Sequence, residues 1–170
     1  MTSYVALLRG VNLGKRQLKM EELRRVATGL GLDDVRTYIA SGNLLFRSSK
    51  SETALKAALE AAIGDHMGAR VGVMLRTAAE LAKVAKRNPF PDEPAKYTVA
   101  FFLDVAPPKG AADAAKNVHD EQMALGAREI YVHYPSGQGQ SKLQIPAAAT
   151  GTARNMNTVA NLAALAKETA

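Results

Sequence analysis

The chain contains no cysteine and no tryptophan, and only four phenylalanines and five tyrosines. Without cysteine there is no disulfide, no thiolate metal site and no cysteine nucleophile. So few rings leave few platforms on which nucleic-acid bases could stack. Long apolar runs are missing too, and no stretch approaches the roughly 20 residues of a membrane span. The opening "MTSYVALLRG" has too short an apolar run for a secretory signal and no basic residue ahead of it. A cytoplasmic protein that engages no membrane is the simplest expectation.

Familiar catalytic signatures are also lacking. His66, His119 and His133 show no HExxH or paired-ligand spacing, so no metal site is expected. No GxSxG nucleophile elbow occurs. Gly10 and Gly14–Lys15 resemble a P-loop, but the spacing is one residue short of GxxxxGK[ST], and Arg16 stands where the magnesium-binding hydroxyl belongs. "GQG" at 137–139 lacks the third glycine and the strand-to-helix setting of a dinucleotide fingerprint. No cofactor is implied. Asp33 and Asp34 read as a turn and a cap rather than an acid–base pair.

What is present suits a folded domain. The 170 residues are 47% hydrophobic, enough to bury a sizeable core in one domain or two small subdomains. The formal net charge is +6, and most of that excess lies in residues 1–25, where Arg9, Lys15, Arg16, Lys19, Arg24 and Arg25 face only Glu21 and Glu22. A local positive field of this kind attracts phosphates or acidic surfaces.

"YVALLR" (4–9) is apolar on both faces, as a central strand is. Met20, Leu23, Val26, Ala27 and Leu30 recur at helical spacing, and Gly29 and Gly31 end that helix. "VRTYI" (35–39) and "NLLFRS" (43–48) read as strands joined by a short Ser41–Gly42 hairpin link. Ser49 and Glu52 have capping-box spacing ahead of a helix that carries Leu55, Leu59, Ile63 and Met67. "RVGVMLR" (70–76) returns as a strand. The order β-α-β-β-α-β is the ferredoxin-like pattern, an α+β fold with helices on one face of an antiparallel sheet.

The second half is less regular. Thr77 and Glu80 form another capping-box pair. "NPFPDEP" (88–94) is a proline-rich connection, and "YTVAFFL" (97–103) is a buried strand. "PPKG" (107–110) precedes an alanine-rich segment expected to be a helix ending near Gly126. "EIYVHY" (129–134) alternates, with Ile130, Val132 and Tyr134 on one face. Asn157 or Asn155 caps a last helix carrying Val159, Leu162 and Leu165. The expected organisation is a ferredoxin-like subdomain over 1–76 and a second, related α/β subdomain over 77–170.

Three polar loops carry the chemistry. "LLRGVNLGKR" (7–16) combines glycines, which let backbone N–H groups approach an anion, with Arg9 and Lys15. "IASGNLLF" (39–46) presents Ser41 and Asn43, although Ser, Gly and Asn are also ordinary turn residues. "GTARNMNTV" (151–159) places Arg154 near a helix N-terminus. A cation there opposes the helix dipole unless an anion or a carboxylate offsets it.

Taken together, "ALLRGVNLGK" (6–15), "TYIASGNLLF" (37–46) and "TARNMNTV" (152–159) resemble the family called domain of unknown function 1697. "NPF" (88–90), "FFLD" (101–104) and "GQGQSKL" (137–143) fit its weaker signatures. The resemblance spans nearly the whole chain. It implies a bacterial-type cytosolic α+β protein built from ferredoxin-like subdomains, and it implies no known activity. The family's recurrent polar positions map onto Arg9, Asn12, Ser41, Asn43, Arg154, Asn155 and Thr158. The family's last motif usually carries tryptophan, as RNWNT, where this chain has Met156. Methionine fills an apolar gap but neither donates a hydrogen bond nor offers a flat face.

The leading expectation is a binding domain for a phosphate- or carboxylate-bearing small ligand. Arg9, Lys15 and Arg154 would supply charge, and Asn12, Ser41, Asn43 and Asn155 oriented hydrogen bonds. One alternative is an enzyme that uses the same loops, with Ser41 as its nucleophile. Another is RNA or DNA binding through the basic N-terminal region, with Tyr4 and Phe46 considered as stacking rings. In a further alternative the polar loops satisfy one another in a closed seam.

Overall fold

Thr2–Leu8 forms β1, and its residues 3–8 are buried on both faces, as a strand apolar on both sides demands. The computed structural model describes residues 1–12 and 17–168. The chain divides into two compact units, Met1–Leu81 with Leu162–Ala170, and Ala82–Asn161.

In the first unit β1 is followed by α1 (Met20–Gly29), β2 (Asp33–Thr37), β3 (Asn43–Ser48), α2 (Glu52–Met67) and β4 (Val73–Thr77). The sheet order is β2-β3-β1-β4, and every neighbouring pair is antiparallel. This is the arrangement that the β-α-β-β-α-β reading requires. Tyr4, Ala6 and Leu8 of β1 share a core with Leu44 and Phe46 of β3, Leu23 and Ala27 of α1, and Leu55, Leu59 and Ile63 of α2. The last three recur every four residues, which keeps them on one stripe of the helix.

Two local expectations shift. The α2 cap is Ser51, whose Oγ accepts from the Ala54 N–H at 3.2 Å, and not Ser49. Ser51 sits three residues before the amide it caps, which is the reach the geometry needs. The strand expected over 35–39 runs over 33–37 instead, because Ile39 takes φ 49° and leaves extended backbone. The hairpin link is therefore five residues, closed by Tyr38 N–H donating to Asn43 O at 3.1 Å.

α3 (Ala78–Lys86) opens on the expected capping box. Thr77 N–H donates to Glu80 Oε1 at 2.9 Å, and Glu80 N–H donates to Thr77 Oγ1 at 3.1 Å.

The second unit contains β5 (Thr98–Phe102), β6 (Gln122–Leu125), β7 (Glu129–His133) and β8 (Thr152–Asn155), in the order β6-β7-β5-β8 with all pairs antiparallel. Numbered from its own first strand, this is the strand order of the first unit. Val99, Ile130, Val132 and Tyr134 fall on one buried face, with Leu103, Ala111 and Ile145 packed on them.

The alanine-rich helix expected before Gly126 does not form. Residues 110–115 make single turns, such as Ala114 N–H to Gly110 O at 3.0 Å, and β6 occupies 122–125. One turn fixes several dihedrals for little gain, and here it is not propagated. Lys116 leaves it to pair with Gln144 (2.8 and 2.9 Å), and Asn117 adopts φ 59°. α4 (Met156–Glu168) follows β8 directly and is capped by Asn155, whose Oδ1 accepts from Thr158 N–H at 3.0 Å.

Candidate functional site

In the first unit the β1–α1 and β2–β3 connections are bound to each other. Leu8 N–H donates to Gly42 O at 2.9 Å. The Asn12 amide Nδ2 donates to Ala40 O, and also to Leu18 O at 3.0 Å, while its Oδ1 accepts from Leu18 N–H at 2.6 Å. Asn43 is fully buried, and its Nδ2 donates to Tyr38 O at 3.0 Å and to Ser41 Oγ at 2.9 Å. Each asparagine thus ties backbone that no strand ladder satisfies.

The backbone here is unusual. Gly10 (72°), Asn12 (58°), Ile39 (49°) and Gly42 (84°) all have positive φ. For glycine and asparagine this is cheap, but for a β-branched isoleucine it is strained. Strain of this kind collects at ligand sites, where surrounding contacts hold it in place. Ile39 is also half exposed, so no core burial rewards the conformation.

Arg9, Asn12, Ser41 and Asn43 are therefore brought together, in two interlocked loops. Arg9 and Ser41 are exposed. The Arg9 backbone N–H donates to Gly72 O at 2.8 Å, and its side chain runs over Gly72. Lys15 lies outside the described residues.

Arg154, Asn155 and Thr158 belong to the second unit, at the β8–α4 junction. Arg154 stands in β8 opposite Ala100, immediately before the Asn155 cap of α4 and thus at the helix entrance expected for it. Its Nη1 donates to Thr152 Oγ1 at 2.8 Å and to Ala153 O at 2.9 Å. Burial pushes its guanidinium down to about 10, which still leaves it charged at neutral pH. Asn155 spends its Oδ1 on the α4 cap.

The histidines and the two rings have structural partners. His66 Nε2 meets Glu22 Oε2 at 3.0 Å, and that hydrogen bond holds the Glu22 carboxyl below its ordinary pKa. Buried His133 meets Thr98 Oγ1 at 3.1 Å through Nδ1 and Glu93 Oε2 at 3.4 Å through Nε2. Among the described residues no three His, Asp or Glu gather as metal ligands would. Tyr4 and Phe46 stack on each other in the core, with centroids 5.7 Å apart, and are not available to bases. No helix among the described residues is long and apolar enough to cross a membrane. Ile39 escaped the sequence reading because its backbone angle is imposed by the loop around it, not by its residue type.

No curated protein matches the chain. A solved structure of a conserved bacterial protein from Streptococcus pneumoniae resembles it with a TM-score of 0.80 and 26% identity, over 98% of this chain and 99% of that one. The model of a family described as "Protein of unknown function (DUF1697)" matches residues 1–131, so the two interlocked loops, β5, β6 and the start of β7 lie in the matched region. The chain belongs to that family.

Proposed function

We propose that this chain is a cytosolic binding protein for a small phosphate- or carboxylate-bearing ligand, held by the paired β1–α1 and β2–β3 loops. The observation that carries the reading is the exposed, strained Ile39 in the β2–β3 loop, beside the Ala40 carbonyl that Asn12 holds and the Tyr38 carbonyl that Asn43 holds. Backbone already held by such hydrogen bonds loses little entropy when a ligand arrives, so pre-organised contacts are worth more. Arg9 supplies a guanidinium suited to bidentate contact with an anion, and Ser41 adds a hydroxyl. Lys15 enters as a second cation by its place in the sequence. Arg154, Asn155 and Thr158 enter as supports of β8 and α4.

Isothermal titration against nucleotides, sugar phosphates and dicarboxylates tests the reading. We expect heat from at least one class, with affinity falling roughly tenfold or more in Arg9→Ala, as for a lost charge-assisted contact. Silence from every class, or an Arg9→Ala variant that binds as the parent does, would count against it.

A further inference from the structure

The two units share a strand order but not a cover. In the first, the connections β1→β2 and β3→β4 each hold a helix, α1 and α2. In the second, the corresponding connections β5→β6 and β7→β8 hold no α-helix, only turns and two short 3-10 segments, Gln138–Gln140 and Pro146–Ala148. A covering layer made of turns fills less volume than one made of helices. A cleft of about 390 Å³ remains, lined by Phe101 of β5, Tyr134 at the end of β7, Lys116 of the first connection, and Leu143, Ile145 and Pro146 of the second. Its size falls within the usual range of small-molecule sites, and its walls are mainly apolar, as such sites are.

Two polar groups stand out against those walls. The Tyr134 ring is buried, while its hydroxyl reaches solvent and has no hydrogen-bond partner among the described residues. Tyr131, three residues earlier on the opposite face, has its hydroxyl buried and donates to Val84 O at 3.0 Å. The second group is Lys116, whose backbone is fixed by its bridge to Gln144 and whose ammonium makes no ion pair among the described residues. Burial and the Glu121 charge raise the Tyr134 phenol to about 12, so it remains a donor at neutral pH. Glu121 itself is engaged by Ser141 Oγ–H and by the His119 N–H. The cleft thus offers an O–H donor and a cation at an apolar surface, which matches an acceptor that carries negative charge on a small apolar body.

We propose that the cleft of the second unit is a binding site for a small apolar carboxylate. The Tyr134 hydroxyl donates to the carboxylate, Lys116 balances its charge, and Phe101, Leu143, Ile145 and Pro146 receive the hydrocarbon. The site is separate from the Arg9 loops, so either reading can fail while the other stands.

Chemical-shift titration of the full chain with hexanoate, benzoate and the neutral analogue hexanol tests it. Shifts centred on residues 101, 116, 134 and 143–149 are expected for the two acids. Tyr134→Phe, which removes one atom and should leave the fold unchanged in the amide spectrum, is expected to weaken acid binding roughly tenfold. Lys116→Met is expected to weaken the acids and leave hexanol unaffected. No binding of either acid at millimolar concentration, or shifts that map elsewhere, would overturn the site. Equal affinity in Tyr134→Phe would overturn the donor role, and equal acid affinity in Lys116→Met the choice of carboxylate.

Discussion

Gly42 and Val11 meet so closely that a Cβ on residue 42 would lie 2.6 Å from Val11 Cγ2, and 3.0 Å from Leu8 Cβ. The same residue has φ 84°, where side chains are disfavoured. Gly42→Ala therefore meets both a steric and a conformational penalty. We expect a loss of roughly 2–4 kcal/mol in urea unfolding, from overpacking plus a left-handed alanine. A loss within the scatter of ordinary surface substitutions would show that the loops are not interlocked.

Asn12 separates two ties that can be removed one at a time. Asn12→Asp keeps the oxygen that accepts from Leu18 N–H but replaces the donor to Ala40 O and Leu18 O with an acceptor. We expect the Leu18 amide to stay protected from hydrogen exchange in Asn12→Asp and to lose protection in Asn12→Ala. Both variants should be destabilised, by about 1–3 kcal/mol. Equal Leu18 protection in Asn12→Ala and the parent would refute the tie.

The two serines before α2 offer an internal control. Ser51→Ala removes the cap to Ala54 and should cost about 1 kcal/mol, whereas Ser49→Ala should cost little. The reverse ranking in denaturant melts would contradict the cap assignment.

Tyr131 and Tyr134 should respond oppositely to loss of the hydroxyl. Tyr131→Phe leaves the Val84 carbonyl without its buried donor, a cost of about 1–2 kcal/mol. Tyr134→Phe removes a hydroxyl with no partner to abandon, and ligand-free stability should stay level or rise. Parallel thermal melts of the two variants decide this.

Acid stability should depend on Glu121. A hydrogen bond from Ser141, then one from the His119 backbone, lowers its folded pKa. The unfolded chain therefore binds its proton first as pH falls. The stabilisation is complete above the ordinary carboxylate pKa and is lost as pH drops through the depressed folded value. Unfolding midpoints measured across that range should fall less steeply in Glu121→Gln and in Ser141→Ala. Unchanged slopes in both would remove Glu121 from the account.

Most features set by neighbouring residues were legible in the sequence, the Ser49–Glu52 box being displaced to Ser51. The Thr77–Glu80 box, the Asn155 cap and the alternation of Ile130, Val132 and Tyr134 depend on spacing alone, and each occurs where spacing put it. Features set by distant residues were not. Residues 111–115 have strong helix propensity, but the bridge from Lys116 to Gln144, 28 positions away, draws the chain off into a pairing that composition cannot signal. For the candidate loops, residue types pointed to Asn12 and Asn43 but not to their targets. Both amides turned out to hold backbone, leaving Arg9 and Ser41 as the exposed groups.

The missing helices of the second unit also bear on how the chain assembles. α1 and α2 can begin to order from contacts within a few residues, while the cover of the second sheet depends on meetings such as 116 with 144. Contacts that close long loops form slowly. Pulse-labelled refolding should therefore register protection at residues 20–67 before residues 98–133, and simultaneous protection would mean that the second sheet nucleates by a route independent of its turns.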